Sequence, residues 1–543
     1  MNQETKNCIV CKSDFAIEPE DFAFYEKMGV QAPKMCPMCR RQRRLAFRNE
    51  RTFYKRNCDK CGKPGISMYS PNKELTVYCH DCWFADDWDG IDYAQDYDPN
   101  RPFMEQLEEL WRVVPKVNFV HINSINCEYI NIAADNKDCY MVVESSNNEN
   151  LMYSYWAQIC KDSVDISFSH GCSWMYECDD MYTCNKTLYS AGCSECRDSY
   201  FLSNCKNCVD CIGCVNMRNA QYCVFNGQLS KEAYEKFLVN ARLDTNYGVE
   251  TLRKQFEDFK LTQPHKFAKI TNAEDCTGNY IRRAKNCKQC FDCYEAEDNK
   301  YSVHVWREAK DCMDVDTAGR TVEKMYNTLN SAINVSNCIC TILCWGGAFM
   351  SYCQYCTDGQ NLFGCVGLRK KNYCILNKQY SPEEYEVLKN KIITELKASR
   401  SYGEFFPASM SAFGYNETPA QEQFPLTKEQ VLAQGYQWED TSRGTYGQEN
   451  GKDIFACQKC QKNYRFTPRE ASFYAELKIP VPLLCPDCRH ERRIKARGPN
   501  KLWHRQCMKN SPAGECTNKF ETSYAPDRHE IIYCESCYNT EVA

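Results

Sequence analysis

Cys8-x2-Cys11 is followed, after 24 intervening residues, by Cys36-Pro-x-Cys39, and Cys457-x2-Cys460 is followed, after the same 24, by Cys485-Pro-x-Cys488. A Cys-x2-Cys turn offers two thiolates at the separation a tetrahedral metal needs, and two such turns close a four-sulfur site of the kind that holds structural Zn²⁺. The pattern continues outward. Eighteen residues separate Cys39 from Cys58 and eighteen separate Cys488 from Cys507; seventeen lie between Cys61 and Cys79 and seventeen between Cys516 and Cys534. One spacing differs, Cys58-x2-Cys61 having become Cys507-x8-Cys516. With Cys82 and Cys537 these positions form eight pairs, enough for four Zn²⁺ ions in four four-thiolate sites, and the two ends read as copies of one double-finger unit.

Competing uses of thiols are a disulfide framework, buried core and redox chemistry. The 543 residues contain 41 cysteines, an odd number that cannot pair completely within one chain. The opening MNQETKNC has no charged-then-apolar leader, which predicts a cytoplasmic location where thiols stay reduced. No apolar run approaches the ~20 residues of a membrane span, so no membrane partner is expected. The net charge of −5 argues against binding nucleic acid over the whole surface and leaves room for local basic patches.

Two such patches exist. After Cys39 come Arg40, Arg41, Arg43, Arg44, Arg48, Arg51, Lys55 and Arg56; after Cys488 come Arg489, Arg492, Arg493, Lys495, Arg497, Lys501 and Arg505. A dense basic helix is either a solvated charged face or a phosphate-contacting surface, where each cation releases counterions and adds affinity. On the second reading Arg40, Arg41, Arg43, Arg44, Arg48, Arg51, Arg489, Arg492, Arg493, Lys495 and Arg497 contact nucleic acid, RNA slightly ahead of DNA. Phe53, Tyr54 and Trp503 then stack on unpaired bases, or else serve as finger core.

A knuckle, a hairpin and a knuckle that opens a helix make the treble-clef plan. The stretch FAIEPEDFAFYEKMGVQAPKMCPMCRRQRR after the first Cys-x2-Cys resembles the bacterial probable zinc-ribbon, or treble-clef, family. Cys58-x2-Cys61-x17-Cys79-x2-Cys82 also has the spacing of GATA-type fingers, a spacing that recurs in unrelated treble clefs and so implies fold rather than DNA. Over nearly its full length the chain is similar to uncharacterised cysteine-rich zinc-ribbon proteins of candidate-phyla bacteria, through FGYNET at Phe413–Thr418 and FPLTKE at Phe424–Glu429. That resemblance implies architecture and brings no activity.

The middle is duplicated too. Tyr222-Cys-Val-Phe-Asn-Gly-Gln-Leu-Ser230 matches Tyr373-Cys-Ile-Leu-Asn-Lys-Gln-Tyr-Ser381, and each copy leads into a helix. Ser381 is its N-cap, with Pro382 at the first position and Glu384 closing a capping box; Ser230 starts the other. Upstream, Asn126, Asp138, Asn150 and Asp162 recur at a dozen residues, each before a strand-like run (CEYINI, CYMVVE, LMYSYW, SVDISF); Asp275, Asn286, Asp298 and Asp311 repeat the theme less regularly. Asn and Asp tolerate left-handed backbone, Tyr, Val, Ile and Cys suit strands, and stacked short units bury a continuous column. The predicted fold is therefore mainly β: a duplicated short Cys-rich β-solenoid flanked by tandem treble-clef or zinc-ribbon modules at both termini. Its 25 central cysteines are expected as an inward thiol ladder. Iron–sulfur ligation by Cys205-x2-Cys208-x2-Cys211-x2-Cys214 and Cys287-x2-Cys290-x2-Cys293 is the alternative, although neither run ends x3-Cys-Pro.

The expected division is a zinc-finger pair over 1–83, an acidic linker and capping helix over 84–119, solenoids with terminal helices over 120–262 and 263–398, a connector over 399–450 with a short helix near Lys428–Ala433, and a second finger pair over 451–543. The segment Pro102–Phe119 is expected to cap the first solenoid. No phosphate-binding Gly-Lys loop, His-Glu-x-x-His or nucleophile elbow occurs, so no catalytic residue is assigned and a non-enzymatic role is expected. Glu177, Asp179 and Asp180 form the one carboxylate group suggestive of polysaccharide cleavage. The leading function is a zinc-dependent nucleic-acid-binding scaffold. The alternatives are a protein–protein adaptor with purely structural zinc, or a thiol-rich metal or redox protein.

Overall fold

A computed structural model describes residues 2–441, 444–447, 454–511 and 514–542. The end of the expected connector (442–443, 448–450) and the start of the second finger pair (451–453) lie outside the described residues. The chain is strand-rich, and no described helix is long and apolar enough to cross a membrane. It divides into two units: Met1–Asn118 with Ala268–Asp440 and Asn500–Leu502, and Phe119–Phe267 with Thr441–Pro499 and Trp503–Ala543. The sequential division is thus redistributed. Each finger pair belongs with the cysteine-rich segment farther from it in sequence.

That segment in the second unit is a parallel ladder. Ile125 pairs with Lys137, Lys137 with Glu149, and so on through Lys161, Ser173, Asn185, Arg197, Val209 and Gln221, always twelve residues on. Within each coil the period is three. Asn123, Asn126, Tyr129 and Ile132 have positive φ, and the same holds at most third positions onward to Phe225. The residue after each is the one that goes inside, as Ile130, Ala133, Cys139 and Val142 do. Asn126, Asp138, Asn150 and Asp162 occupy such left-handed corners, as do Asp275, Asn286, Asp298 and Asp311 in the other unit. Of the four expected strand runs, SVDISF lies within one continuous strand, Lys161–His170, and LMYSYW is split between Glu149–Met152 and Tyr155–Gln158, while CEYINI and CYMVVE are only bridged, a left-handed residue recurring at every third position.

The period of three also explains the cysteine runs. Cys205, Cys208, Cys211 and Cys214 are successive interior positions of one coil and the next. Stacked at twelve-residue intervals, Cys160, Cys172, Cys184, Cys196 and Cys208 form one column. The Cys184 thiol contacts the carbonyls of Tyr182 (3.4 Å) and Cys193 (3.6 Å), and its sulfur accepts the Cys196 N–H at 3.4 Å. A side only three residues long leaves a narrow interior, which small polarizable thiols fill without an unsatisfied polar group. All central cysteines except Cys127 and Cys276 are buried. Iodoacetamide applied to the native chain should therefore leave them unmodified apart from those two, and should reach the rest only after denaturation, as peptide mass spectrometry will show. Labelling of Cys184 or Cys196 in the native state would mean that the interior opens.

In the first unit the ladder runs from Ile270 to Gln379. Three of its steps have thirteen residues, Ala296 pairing with Ala309, Ala309 with Val322 and Val322 with Val335. The extra residue sits at doubled corners, Arg307/Glu308, Arg320/Thr321 and Ile333/Asn334. These insertions are why the second copy reads as less regular. Its terminal helix, Pro382–Ala398, has the Ser381–Glu384 capping box, and the connector contains Lys428–Ala433 as a helix. Ser230 caps Lys231–Ala241, which a second helix, Asn246–Leu261, follows.

One expectation about packing is corrected. The helix Phe103–Val113 does not cap the first ladder; Phe103 packs on Tyr352 and Phe363, and Trp111 stacks on Tyr355, all in the second. Its apolar face (Phe103, Leu107, Leu110, Trp111) is buried against that aromatic row, while the aromatic row of the first ladder, Tyr176, Tyr189 and Phe201, is met instead by Phe473 and Phe256.

Candidate metal centres and clamp helices

Four groups of four thiols each converge to within 4.8 Å: Cys8, Cys11, Cys36 and Cys39; Cys58, Cys61, Cys79 and Cys82; Cys457, Cys460, Cys485 and Cys488; Cys507, Cys516, Cys534 and Cys537. Among the described residues no other group of His, Cys, Asp and Glu does so. Sulfurs lie 3.7 Å apart across Cys11–Cys36 and Cys460–Cys485, 3.9 Å across Cys61–Cys79 and 4.0 Å across Cys516–Cys534. A tetrahedron of ~2.3 Å Zn–S bonds has edges of about 3.8 Å, so the donor sets fit zinc.

Local structure arranges each set. The hairpins Glu4–Asn7/Asp14–Ile17 and Tyr54–Asn57/Pro64–Ser67 carry the first knuckles of the N-terminal pair. Lys12 N–H bonds Cys8 O (3.0 Å), and Gly62 N–H bonds Cys58 O (2.9 Å), both in left-handed conformation that tightens the turn. The second knuckle opens a helix, with Cys36 and Cys485 as N-caps and proline at the first position. There the free N–H groups of the helix terminus favour a thiolate, although at Cys485 burial outweighs them and pushes the thiol up to about 12. Hydrogen bonding from Cys39 above all, against the cost of burial, holds the Cys36 thiol down at about 5. Backbone N–H groups of Cys61 and Cys79 overcome burial to bring Cys58 to about 6. The stretched Cys507-x8-Cys516 is closed by a small hairpin, Asn510–Ser511 against Gly514–Glu515, with Cys516 N–H on Lys509 O (3.0 Å).

The helices that follow the knuckles face inward. In Pro37–Leu45, Arg40 Nε donates to Asp314 Oδ2 at 2.8 Å, Arg44 Nε to Asp316 Oδ2 at 2.8 Å and Arg41 Nε to Asp316 Oδ1 at 2.9 Å. Arg48, just beyond, reaches Thr317 Oγ1 at 3.0 Å. Burial opposes ionisation of Asp316, yet Arg44 and Arg41 hold its carboxyl below the usual range. Gln42 bonds Tyr415 Oη at 2.8 Å, so the FGYNET stretch packs behind this helix.

In Pro486–Arg497 the arrangement repeats within the other unit. Arg489 Nε lies 2.7 Å from Asp165 Oδ2, Arg493 Nη1 donates to Asp165 Oδ1 at 2.9 Å, and Arg497 Nη1 donates to Asp179 Oδ2 at 3.0 Å. Arg492 pairs with Glu177, which Arg253 also contacts at 2.9 Å. Glu177 stays below the usual range because these arginines outweigh its burial. Asp165 and Asp314 are both corner residues with φ 57°, each fully buried.

This corrects the expected placement of the phosphate-contacting arginines. Arg40, Arg41, Arg44, Arg489 and Arg493 are buried against ladder aspartates where solvent or phosphate was expected, and Arg48 is buried beside Glu50 and Thr317. Arg497 is paired and stacks 3.8 Å over the Phe168 ring; Arg492 is paired and half-exposed. Arg43 and Arg51 are half-buried, and Lys495 is exposed. Tyr54 is buried with its hydroxyl on Glu417 (2.7 Å), and Trp503 sits in a hairpin strand. Glu177 and Asp179 are bound by arginines rather than gathered as a carboxylate site. The carboxylates that matter most, Asp165, Asp314 and Asp316, were missed. A signal for them existed: arginines spaced i, i+4 on one helix face recur in both copies as Arg40/Arg44 and Arg489/Arg493.

A family model described as a probable treble clef domain matches residues 453–497, the segment holding Cys457, Cys460, Cys485, Cys488 and the second arginine helix. No curated protein matches the chain.

Proposed function

We propose that the chain is a non-enzymatic scaffold for protein partners, in which structural Zn²⁺ folds four treble-clef modules and two of these clamp a pair of β-solenoids. The observation that carries the reading is the burial of Arg40, Arg44, Arg489 and Arg493 against ladder aspartates. Cations held in this way have no phosphate to neutralise, so the adaptor reading moves ahead of nucleic-acid binding. Twelve residues per coil with one interior residue in three supports a four-sided solenoid, whose long outer rows are suited to contact with folded surfaces. Zinc is preferred to other metals because every site offers four thiolates at tetrahedral spacing.

Filter binding of the full chain to single-stranded RNA and to duplex DNA, from low to physiological salt, tests the choice. The expected result is weak retention at low salt that vanishes at physiological salt, with little change on Lys495→Ala. Tight binding with a steep salt slope, each phosphate contact adding nearly one unit on a duplex, would return nucleic acid to the lead.

A further inference from the structure

Within its own unit the second ladder has one outer side that stays exposed. Along it Glu274, Lys285, Glu297, Lys310 and Glu323 pair in register from coil to coil, so acid and base alternate along the axis. Beside this row runs a groove of 920 Å³ whose floor is the chain at Ala284, Ala296 and Ala309, their small side chains buried in the ladder core. Arg283, Glu295 and Glu308 form its other wall. Within the row, Lys310 lies 3.1 Å from Glu297 with both side chains about half exposed. Such a pair contributes only ~0–1 kcal/mol and can exchange partners at little cost.

We propose that this side is a homotypic docking face, through which two copies of the chain associate in antiparallel fashion. The argument is one of pitch. A charge row with alternating sign at each ~4.8 Å coil step is matched by a surface with the same step, and another parallel ladder has it. The row is also complementary to itself when reversed. With the two-fold axis between the coils of Lys285 and Glu297, Lys285 meets the Glu297 of the second copy and Glu274 meets its Lys310. Every such pair is opposite in sign. The alanine floor lets the ridge of one copy settle into the groove of the other. A closed two-fold contact of this kind uses the same patch on both subunits.

Light scattering coupled to gel filtration on the full chain should give twice the 63.2 kDa chain mass at low salt, shifting toward one chain mass as salt screens the pairs. K285E/K310E makes the row wholly acidic and E274K/E297K/E323K makes it wholly basic. Each should be monomeric alone, with unchanged circular dichroism, and an equimolar mixture should recover the double mass. The variant carrying all five reversals is again alternating and should dimerise by itself. Wild type that stays monomeric at low salt, or a mixture of the two variants that does not associate, overturns the proposal. Wild type that dimerises equally well with either single-sign row places the contact elsewhere and overturns it as well.

Discussion

Asp165→Asn will loosen the C-terminal finger from its ladder and destabilise that unit by roughly 3–5 kcal/mol, because it takes the shared carboxylate from two buried guanidinium groups and leaves Arg489 with Glu470, 3.3 Å away. Asp165 is fully buried, lies 2.7 Å from Arg489 Nε in an ion pair and accepts from Arg493 at 2.9 Å. Asparagine preserves the shape and removes the charge, so the change isolates electrostatics from packing. The measurement is urea unfolding of the full chain followed by near-ultraviolet circular dichroism, where the finger transition should move to lower denaturant. Hydrogen exchange should show the loss in Pro486–Arg497 first. Adding Arg493→Met to Asp165→Asn should restore part of the stability, since it removes the buried guanidinium whose ion pair the first change abolishes. Lys495→Ala, an exposed change on the same helix, should stay within about 0.5 kcal/mol. If Asp165→Asn were as silent as Lys495→Ala, the clamp would be a contact without consequence.

Chelating the metal will cost more. Structural zinc supplies on the order of 10–16 kcal/mol per site in isolated finger peptides, and that binding energy is folding energy. Four thiolate groups converge in the two finger pairs, so a metal-sensitive dye should report four zinc ions released per chain. Each clamp helix begins on a ligand, Cys36 or Cys485, with its first arginine one turn further on, so loss of the ion frays the turn that aims Arg40 or Arg489. The fingers should lose exchange protection together with their docked arginines. The ladders should retain theirs, because their backbone bonds run from coil to coil and their buried thiols hold no metal group within ligating distance of one another. Cys36→Ser should reproduce the effect in the first unit alone and release one ion. Simultaneous melting of ladder and fingers on chelation would show that the ladders depend on the clamps for stability.

The metal centres were legible because zinc ligation by Cys-x2-Cys is a local geometry, and spacing along the chain nearly determines spacing in space. Even Cys507 and Cys516, with eight residues between them, come together through a local hairpin. The corners at Asn126, Asp138, Asn150 and Asp162 were legible for a similar reason: Asn and Asp tolerate left-handed backbone and are enriched where it is required. Three other corners of each coil escaped notice because Tyr129, Ile132 or Met141 can be forced left-handed when coil-to-coil hydrogen bonds hold them, although their side chains disfavour it. Without those corners the period of three was hidden, and Cys205-x2-Cys208-x2-Cys211-x2-Cys214 looked like cluster ligation instead of one interior face.

The fate of the arginines was decided only by tertiary structure. Composition and periodicity place Arg40, Arg44, Arg489 and Arg493 on basic helices after a metal knuckle, and a helix of that kind is equally competent to face solvent, phosphate or a carboxylate. What settles the matter is the partner, and Asp314 is 274 residues from Arg40 while Asp165 is 328 from Arg493. Local chemistry leaves a mark in local sequence. An ion pair across hundreds of residues leaves only the spacing of its arginines and nothing that names their partner, because it exists only after the ladders have stacked and presented a buried corner carboxylate where each helix docks.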